Sequence, residues 1–224
     1  MTRTSPSISV IIPAYNEEKL IVRCIDSVIH QSYQNFEIIV ICNGCTDRTY
    51  QVVRAINDGR VRAIKIKPAN VSLARNTGAE KARGEILVFL DADSIIAKNL
   101  LERISYYVSL GYVGGTTKTT SIENAVAPKV AWWIGNISKQ FFLTASGIMF
   151  CRRDVFPGFD VSLRIGEDTY FLLALKKKGK LAYITESFIK TSSRRWQKEG
   201  ILRTTFKVCK GFFLRKNYEY NPVR

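Results

Sequence analysis

Asp91 and Asp93 close the most apolar run of the chain, I-L-V-F-L-D-A-D-S at residues 86–94. With the two-residue period of a strand, their carboxylates point to the same side. Two such charges about 5 Å apart repel by roughly 3 kcal/mol at an effective dielectric of 20. The pair therefore suits a divalent cation; the other reading is that both acids cap a following helix through Ser94. A second acidic pair, Glu167 and Asp168, falls in the first turn of an expected helix over 166–180. Acids there favour the helix dipole.

These acids need a frame that holds them at one edge. Strands are expected at 8–13, 36–41, 61–66 and 85–93, alternating with helices at 17–31, 47–57, 72–82 and 99–110. Asn16 and Thr46 stand where helix caps are expected. The alternation predicts an α/β fold with a mainly parallel sheet flanked by helices. Such sheets bind ligands beyond the carboxyl ends of their strands. Pro13, Asn43 and Asp91 all follow or close expected strands, so three segments converge on one edge.

The second half is less regular. It reads as strand and turn at 112–120, an aromatic helix at 128–143, and a strand leading to a short helix at 145–156. After helix 166–180 come two short strands, L-A-Y-I-T and F-I-K-T-S, and a basic amphipathic helix. One domain over 1–224 is expected, with residues 1–115 and 116–224 as its halves.

The chain has 224 residues and a formal net charge of +15. That charge suits an anionic partner such as a phosphate-bearing substrate, acidic lipid or nucleic acid, although no nucleic-acid module is recognisable. No apolar run approaches the ~18 residues of a membrane span, and no secretory leader is evident, so a cytoplasmic location is expected. Cys42 and Cys45 form a C-x-x-C without a second pair; reduced structural thiols are expected, a redox motif being the other reading.

The ordered set V-I-I-P-A-Y-N-E-E (10–18), C-N-G-C-T-D-R-T (42–49), S-L-A-R-N-T-G-A-E-K-A-R-G-E-I-L-V-F-L-D-A-D (72–93) and G-E-D-T-Y-F-L-L-A-L-K-K-K-G-K (166–180) resembles family 2 glycosyltransferases, the inverting GT-A type. The likeness covers nearly the whole chain. T-S-S-R-R-W at 191–196 resembles a subgroup with T-S-A-R-R-W. The resemblance implies a GT-A fold whose residues 1–115 bind a nucleotide-diphosphate sugar and whose residues 116–224 face the acceptor. It implies Mg²⁺ or Mn²⁺ at Asp91 and Asp93, as the family's D-x-D, and Asp168 as the base with Glu167 orienting it.

By the same resemblance Pro13, Tyr15 and Glu17 line the nucleoside pocket. Asn43 stands where the family often has a base-contacting Asp, and Asn both donates and accepts, which leaves uridine, guanosine and thymidine bases open; a UDP- or GDP-sugar is the implied donor. Arg75 belongs near the phosphates, where a planar guanidinium suits bidentate contact; a solvated helix-surface arginine is the plain alternative. Arg194, Arg195 and Trp196 either clamp the diphosphate or form a solvated basic loop.

Residues 201–214 place Ile201, Leu202, Phe206, Cys209, Phe212 and Phe213 near one face, with Arg203, Lys207 and Lys210 largely elsewhere. That pattern fits a helix on the inner, anionic face of a membrane and equally a docking helix with basic flanks. With the aromatic residues of 132–142, a polyprenyl-phosphate or glycolipid is a candidate acceptor. A nucleotidyltransferase is the alternative enzyme class, but P-A-Y-N-E-E is acidic where such enzymes carry a glycine-rich basic loop. A basic nucleic-acid or membrane-binding protein is the non-enzyme alternative, and it leaves both acidic pairs unexplained.

Overall fold

The computed structural model describes residues 7–123, 132, 133, 135–137, 139, 145–163 and 165–192. Five helices are labelled: α1 Ile21–Ile29, α2 Thr49–Arg54, α3 Val71–Lys81, α4 Leu100–Ser109 and α5 Glu167–Lys176. The strands are β1 Ile8–Ala14, β2 Phe36–Asn43, β3 Val61–Ile66, β4 Ile86–Leu90, β5 Ser94–Ile96, β6 Gly114–Ser121, β7 Ile148–Arg152 and β8 Leu181–Thr191. They join in one sheet in the order β3-β2-β1-β4-β7-β6-β8-β5.

The first four strands pair in parallel, as the alternating first half predicts. β1, β2 and β4 are buried along their whole length because both faces are covered, whereas β3 at the edge carries Arg62 and Lys65 and is half-buried. Ile8, Val10 and Ile12 of β1 join Ile21, Cys24, Ile25 and Val28 of α1 in one core. Ile11, with Ile39 and Ile41 of β2, joins Ala74 of α3 and Phe171, Leu172 and Leu175 of α5 in the other. Gly78 lets α3 lie this close, since a Cβ there would meet the Ile11 Cγ2 at 2.3 Å.

β7 then runs antiparallel between β4 and β6, and β8 runs parallel to β6. The two short strands expected after α5 form one continuous β8, irregular in register opposite Thr117 and Lys118. β5 pairs antiparallel with β8 at the end of the strand order. Only residues 91–93 separate it from β4. Four strand steps amount to about 19 Å across a flat sheet, whereas four extended residues reach at most about 14 Å. The sheet must curl so that β5 returns to the end of β4. The D-A-D segment lies in that seam.

Helix starts differ from expectation. α1 begins at Ile21, and Asn16 does not cap it: its backbone has φ +55, and its Oδ1 accepts from the Thr46 and Asp47 amides at 2.8 and 3.3 Å. α2 begins at Thr49, whose amide donates to Asp47 Oδ1 at 2.9 Å. Each polar side chain is spent on the β1–β2 loop crossing, which satisfies more orphan amides than a local cap would.

Candidate active site

β1 and β4 pair only as far as Ile11 and Phe89, so a crevice opens between their carboxyl ends. Pro13 lies past that last β4 partner, where its missing N–H costs the ladder nothing on that side. Asn43 ends β2 and is buried, with its Nδ2 donating to the Ala14 carbonyl at 3.0 Å. Tyr15 and Glu17 follow β1, both part-exposed; the Glu17 amide donates to Thr49 Oγ1 at 2.8 Å. Asp47 takes the Thr49 amide and hydroxyl on Oδ1 and the Glu18 amide on Oδ2. Burial opposes its charge, but those bonds hold its carboxyl below the usual range. It builds the loop.

The D-x-D is not a strand end. β4 stops at Leu90, the Ser94 amide donates to the Asp91 carbonyl at 3.0 Å, and Ser94 opens β5. A turn, not strand pleating, therefore presents Asp91 and Asp93. Capping of a helix through Ser94 is also excluded, because the next helix begins at Leu100. The Asp91 amide is tied to the Gly147 carbonyl at 2.9 Å. Asp93 Oδ1 accepts from Thr191 Oγ1 at 3.3 Å, and that hydroxyl in turn accepts from Ser94 Oγ at 3.1 Å. The turn is pinned from β7 and from β8.

Arg75 lies between the two acidic pairs. Its Nη2 donates to Asp91 Oδ1 at 3.1 Å and its Nη1 to Glu167 Oε1 at 3.0 Å. Its side chain is 4% exposed, so it is neither a solvated surface arginine nor open toward a phosphate. Burial disfavours its charge, but Asp91, Asp168 and Glu167 together raise its pKa. The guanidinium lies 5.1 Å from the Phe159 ring centre, and Phe159 stacks on Phe171 at 4.4 Å. Asn76, next in the A-R-N-T-G run, clamps the Phe159 backbone: its Nδ2 donates to the carbonyl and its Oδ1 accepts from the amide, both at 2.8 Å.

Sequence reasoning passed over Asn76 and Phe159. The only hint was Asn76's adjacency to Arg75; the loop it holds is 83 residues away.

Asp168 is half-buried in the first turn of α5, after Gly166 at φ +79. Burial, and then the neighbouring Glu167 charge, push its carboxyl up to about 8; Arg75 pulls the other way. Lys139 is buried and donates to Thr119 Oγ1 and to the Thr117 carbonyl. Burial brings it down to about 7, and Asp168 is the charge that opposes this. Asn136 docks this helical stretch on β6, its Oδ1 accepting from the Thr119 amide at 2.9 Å and its Nδ2 donating to the Thr119 carbonyl at 2.8 Å.

Asp91, Glu167 and Asp168 thus share one guanidinium, Asp93 is held on Thr191 beside them, and the excess of acid invites a cation. Among the described residues no three His, Cys, Asp or Glu side chains come together as a metal site. Two carboxylates with no nitrogen or sulfur donor fit a hard ion such as Mg²⁺ or Mn²⁺ that draws its remaining ligands from phosphate and water. A cavity of about 550 Å³ lined by Tyr112, Lys176, Gly179, Lys180 and Leu181 lies at the opposite end of α5 from these acids. The chemistry-bearing residues identify the site, and that cavity does not. Arg194, Arg195, Trp196 and the 201–214 segment lie outside the described residues.

Residues 9–163 match the sequence profile described as Glycosyl transferase family 2. AglE of Haloferax volcanii is 37% identical over 168 residues, 69% of this chain and 55% of that protein. Other curated bacterial glycosyltransferases match over 30 to 40% of their own length. The chain therefore spans between about a third and about half of the length of these four relatives. Among solved structures, S. aureus TarS 1-349 superposes with TM-score 0.72 at 19% identity, covering 94% of this chain and 75% of that one. Mannosyltransferase PcManGT from Pyrobaculum calidifontis, solved with GDP-Man and Mn²⁺, superposes with TM-score 0.67 at 19% identity, covering 93% and 65%. At these identities the likeness shows the fold, which is GT-A.

Proposed function

Because the chain belongs to glycosyl transferase family 2, we propose that it moves a sugar, with inversion, from a nucleoside-diphosphate donor to an acceptor oxygen. The observation that carries this reading is Arg75, whose two amino groups hold Asp91 and Glu167 at 3.1 and 3.0 Å. It joins the acids suited to the donor's diphosphate to the acids suited to the acceptor's proton.

In this reading Asp168 takes the proton of the acceptor hydroxyl as its oxygen attacks the sugar's anomeric carbon. The bond from that carbon to the diphosphate breaks on the opposite face. A base works best when its pKa lies near the working pH, and burial has moved Asp168 upward to about 8. Glu167 is held by Arg75 and keeps the first turn of α5 in place. Asp91 and Asp93 would hold Mg²⁺ or Mn²⁺, which supplies charge neutralisation for the departing diphosphate. Pro13, Tyr15, Glu17 and Asn43 would bound the nucleoside pocket between β1 and β2. The complexes of TarS with UDP-GlcNAc and of PcManGT with GDP-Man support a UDP- or GDP-sugar as donor.

A lipid-linked acceptor on a membrane surface is supported by the +15 charge and by Trp133 and Ile137, which are 65% and 41% exposed one helical turn apart. No helix among the described residues is long and apolar enough to cross a membrane.

The test is thermal-shift screening of UDP, GDP and their sugars with and without Mn²⁺, since a ligand of the native state raises the melting point. One nucleotide is expected to raise it only with the metal. Failure of every nucleotide, or full turnover by Asp168→Asn, would overturn the reading.

A further inference from the structure

The C-x-x-C of residues 42–45 has no part in the transfer chemistry above. Cys42 is the penultimate residue of β2, in register with Ala14 of β1 and buried in the core. Cys45 packs over it and is part-exposed. The turn between them passes through Gly44 at φ +71, a backbone state that glycine reaches without strain. Both cysteines converge on Ala14, which is the register partner of Cys42. The Cys45 thiol donates to the Ala14 carbonyl at 3.2 Å, the acceptor that Asn43 Nδ2 uses.

The pair is chemically unequal. Hydrogen bonding to Cys42 is the main cause that brings Cys45 down to about 7, and the same contact raises Cys42. Cys24 and Cys151 are buried, and burial raises both. Among the described cysteines, then, Cys45 alone combines access with easy ionisation, and a second sulfur is held against it. Thiol–disulfide exchange requires an accessible thiolate that attacks and a neighbour that resolves.

We propose that Cys42 and Cys45 form a thiol–disulfide exchange site that takes a small disulfide of the glutathione type and closes into an intramolecular bond. The Cys45 thiolate attacks one sulfur of the small disulfide, and the other sulfur leaves as thiolate and takes up a proton. Cys42 then gives up its proton and attacks the Cys45 sulfur of the mixed disulfide, expelling the second small thiol. Two protein thiols are oxidised, and one disulfide is reduced to two thiols. Closure removes the Cys45 donor from the Ala14 carbonyl, just before Tyr15, and draws in the ends of the segment that carries Asn43. Weaker nucleotide binding follows; this consequence rests on the proposed donor pocket, whereas the bond itself does not.

The experiment treats the full chain with glutathione disulfide, reads intact mass and peptide linkage, and titrates the nucleotide before and after. Wild type is expected to lose two hydrogens, with residues 42 and 45 linked. Cys42→Ser is expected to stop at a stable glutathione adduct on Cys45, and Cys45→Ser to form no bond at this loop. Cys151→Ser, remote from it, should close the bond as wild type does. Nucleotide affinity should fall about fivefold on oxidation, the scale of one lost hydrogen bond, and return with dithiothreitol. A wild type that stays reduced, keeps the adduct, or links other cysteines overturns the site. A bond that forms without a change in affinity overturns the consequence alone. Absence of any nucleotide binding by the reduced chain would count against the donor pocket and leave the bond readout intact.

Discussion

Arg75 and Asp91 share a 3.1 Å ion pair whose two ends sit in different surroundings: the arginine side chain is 4% exposed and the aspartate 40%. The guanidinium is anchored in the core by Phe159, while the carboxylate it holds remains open to solvent. A buried cation thus fixes the direction of a solvent-facing acid. Its other amino group ties Glu167, 12% exposed, at 3.0 Å, so one residue sets the spacing of both acidic pairs.

Replacing Arg75 should therefore damage stability and turnover together. Arg75→Met leaves Glu167 and Asp168 without their cation. Breaking such a pair should cost on the order of 3 kcal/mol, mostly at the buried Glu167 end, since the exposed Asp91 end is screened. Arg75→Lys keeps the charge but cannot fork to both acids, so its urea midpoint should lie between those of wild type and Arg75→Met. A midpoint for Arg75→Met equal to wild type would remove the bridge from the account.

Two desolvated groups should shape the pH dependence of folding in opposite directions. Asp168 is raised from 3.8 to about 8 in the fold. The native state keeps a proton that the unfolded chain releases, so its stabilising contribution is full below about pH 4 and lost as pH rises to about 8. Lys139 is lowered from 10.5 to about 7. The unfolded chain binds the extra proton, so stability recovers between about pH 7 and 10. Melting curves of Asp168→Asn should lose the falling limb, and those of Lys139→Met the rising one. Curves parallel to wild type for both variants would place these groups in better-solvated sites.

Asn76 is a positioning residue in this account. Asn76→Ala removes two 2.8 Å bonds to the Phe159 backbone and should cost about 2 kcal/mol. Because Phe159 supports Arg75, kcat should fall while the donor KM changes little. A loss confined to stability would limit Asn76 to holding the loop.

Metal removal should act on ligand binding and leave the fold intact, because the D-A-D turn is pinned by Gly147 and Thr191 without any ion. Chelator is expected to leave the melting point of the free chain unchanged and to abolish the increase produced by nucleotide. Asp93→Ala should behave like chelated wild type in the same assay. A chelator that melts the free chain would instead indicate a structural ion.

The parallel half of the fold was legible because its physics is local. Strands such as 36–43 are apolar on both faces, and the face of α1 repeats at helical spacing, so pattern alone separates strand from helix. Asp168 at the start of a helix and Asn43 at the end of a strand were readable for the same reason. Helix starts were less so: Asn16 and Thr46 have the chemistry of caps, yet they bond to each other across the loops that follow β1 and β2. The D-A-D segment was misplaced as strand because nothing local tells a chain ending a strand from one about to turn. Closure of the curled sheet decides that.

Sequence by itself determined the acids, their order and the alternating frame that brings strand ends to one edge, since these follow from residue type and period. Only the tertiary structure decided that Arg75 faces inward to two carboxylates, that Asn76 fastens a loop 83 residues away, and that a turn at the seam presents Asp91 and Asp93. The physical reason is range. Period and propensity act over a few residues, whereas burial of a charge and closure of a sheet depend on partners that only the completed fold brings within reach.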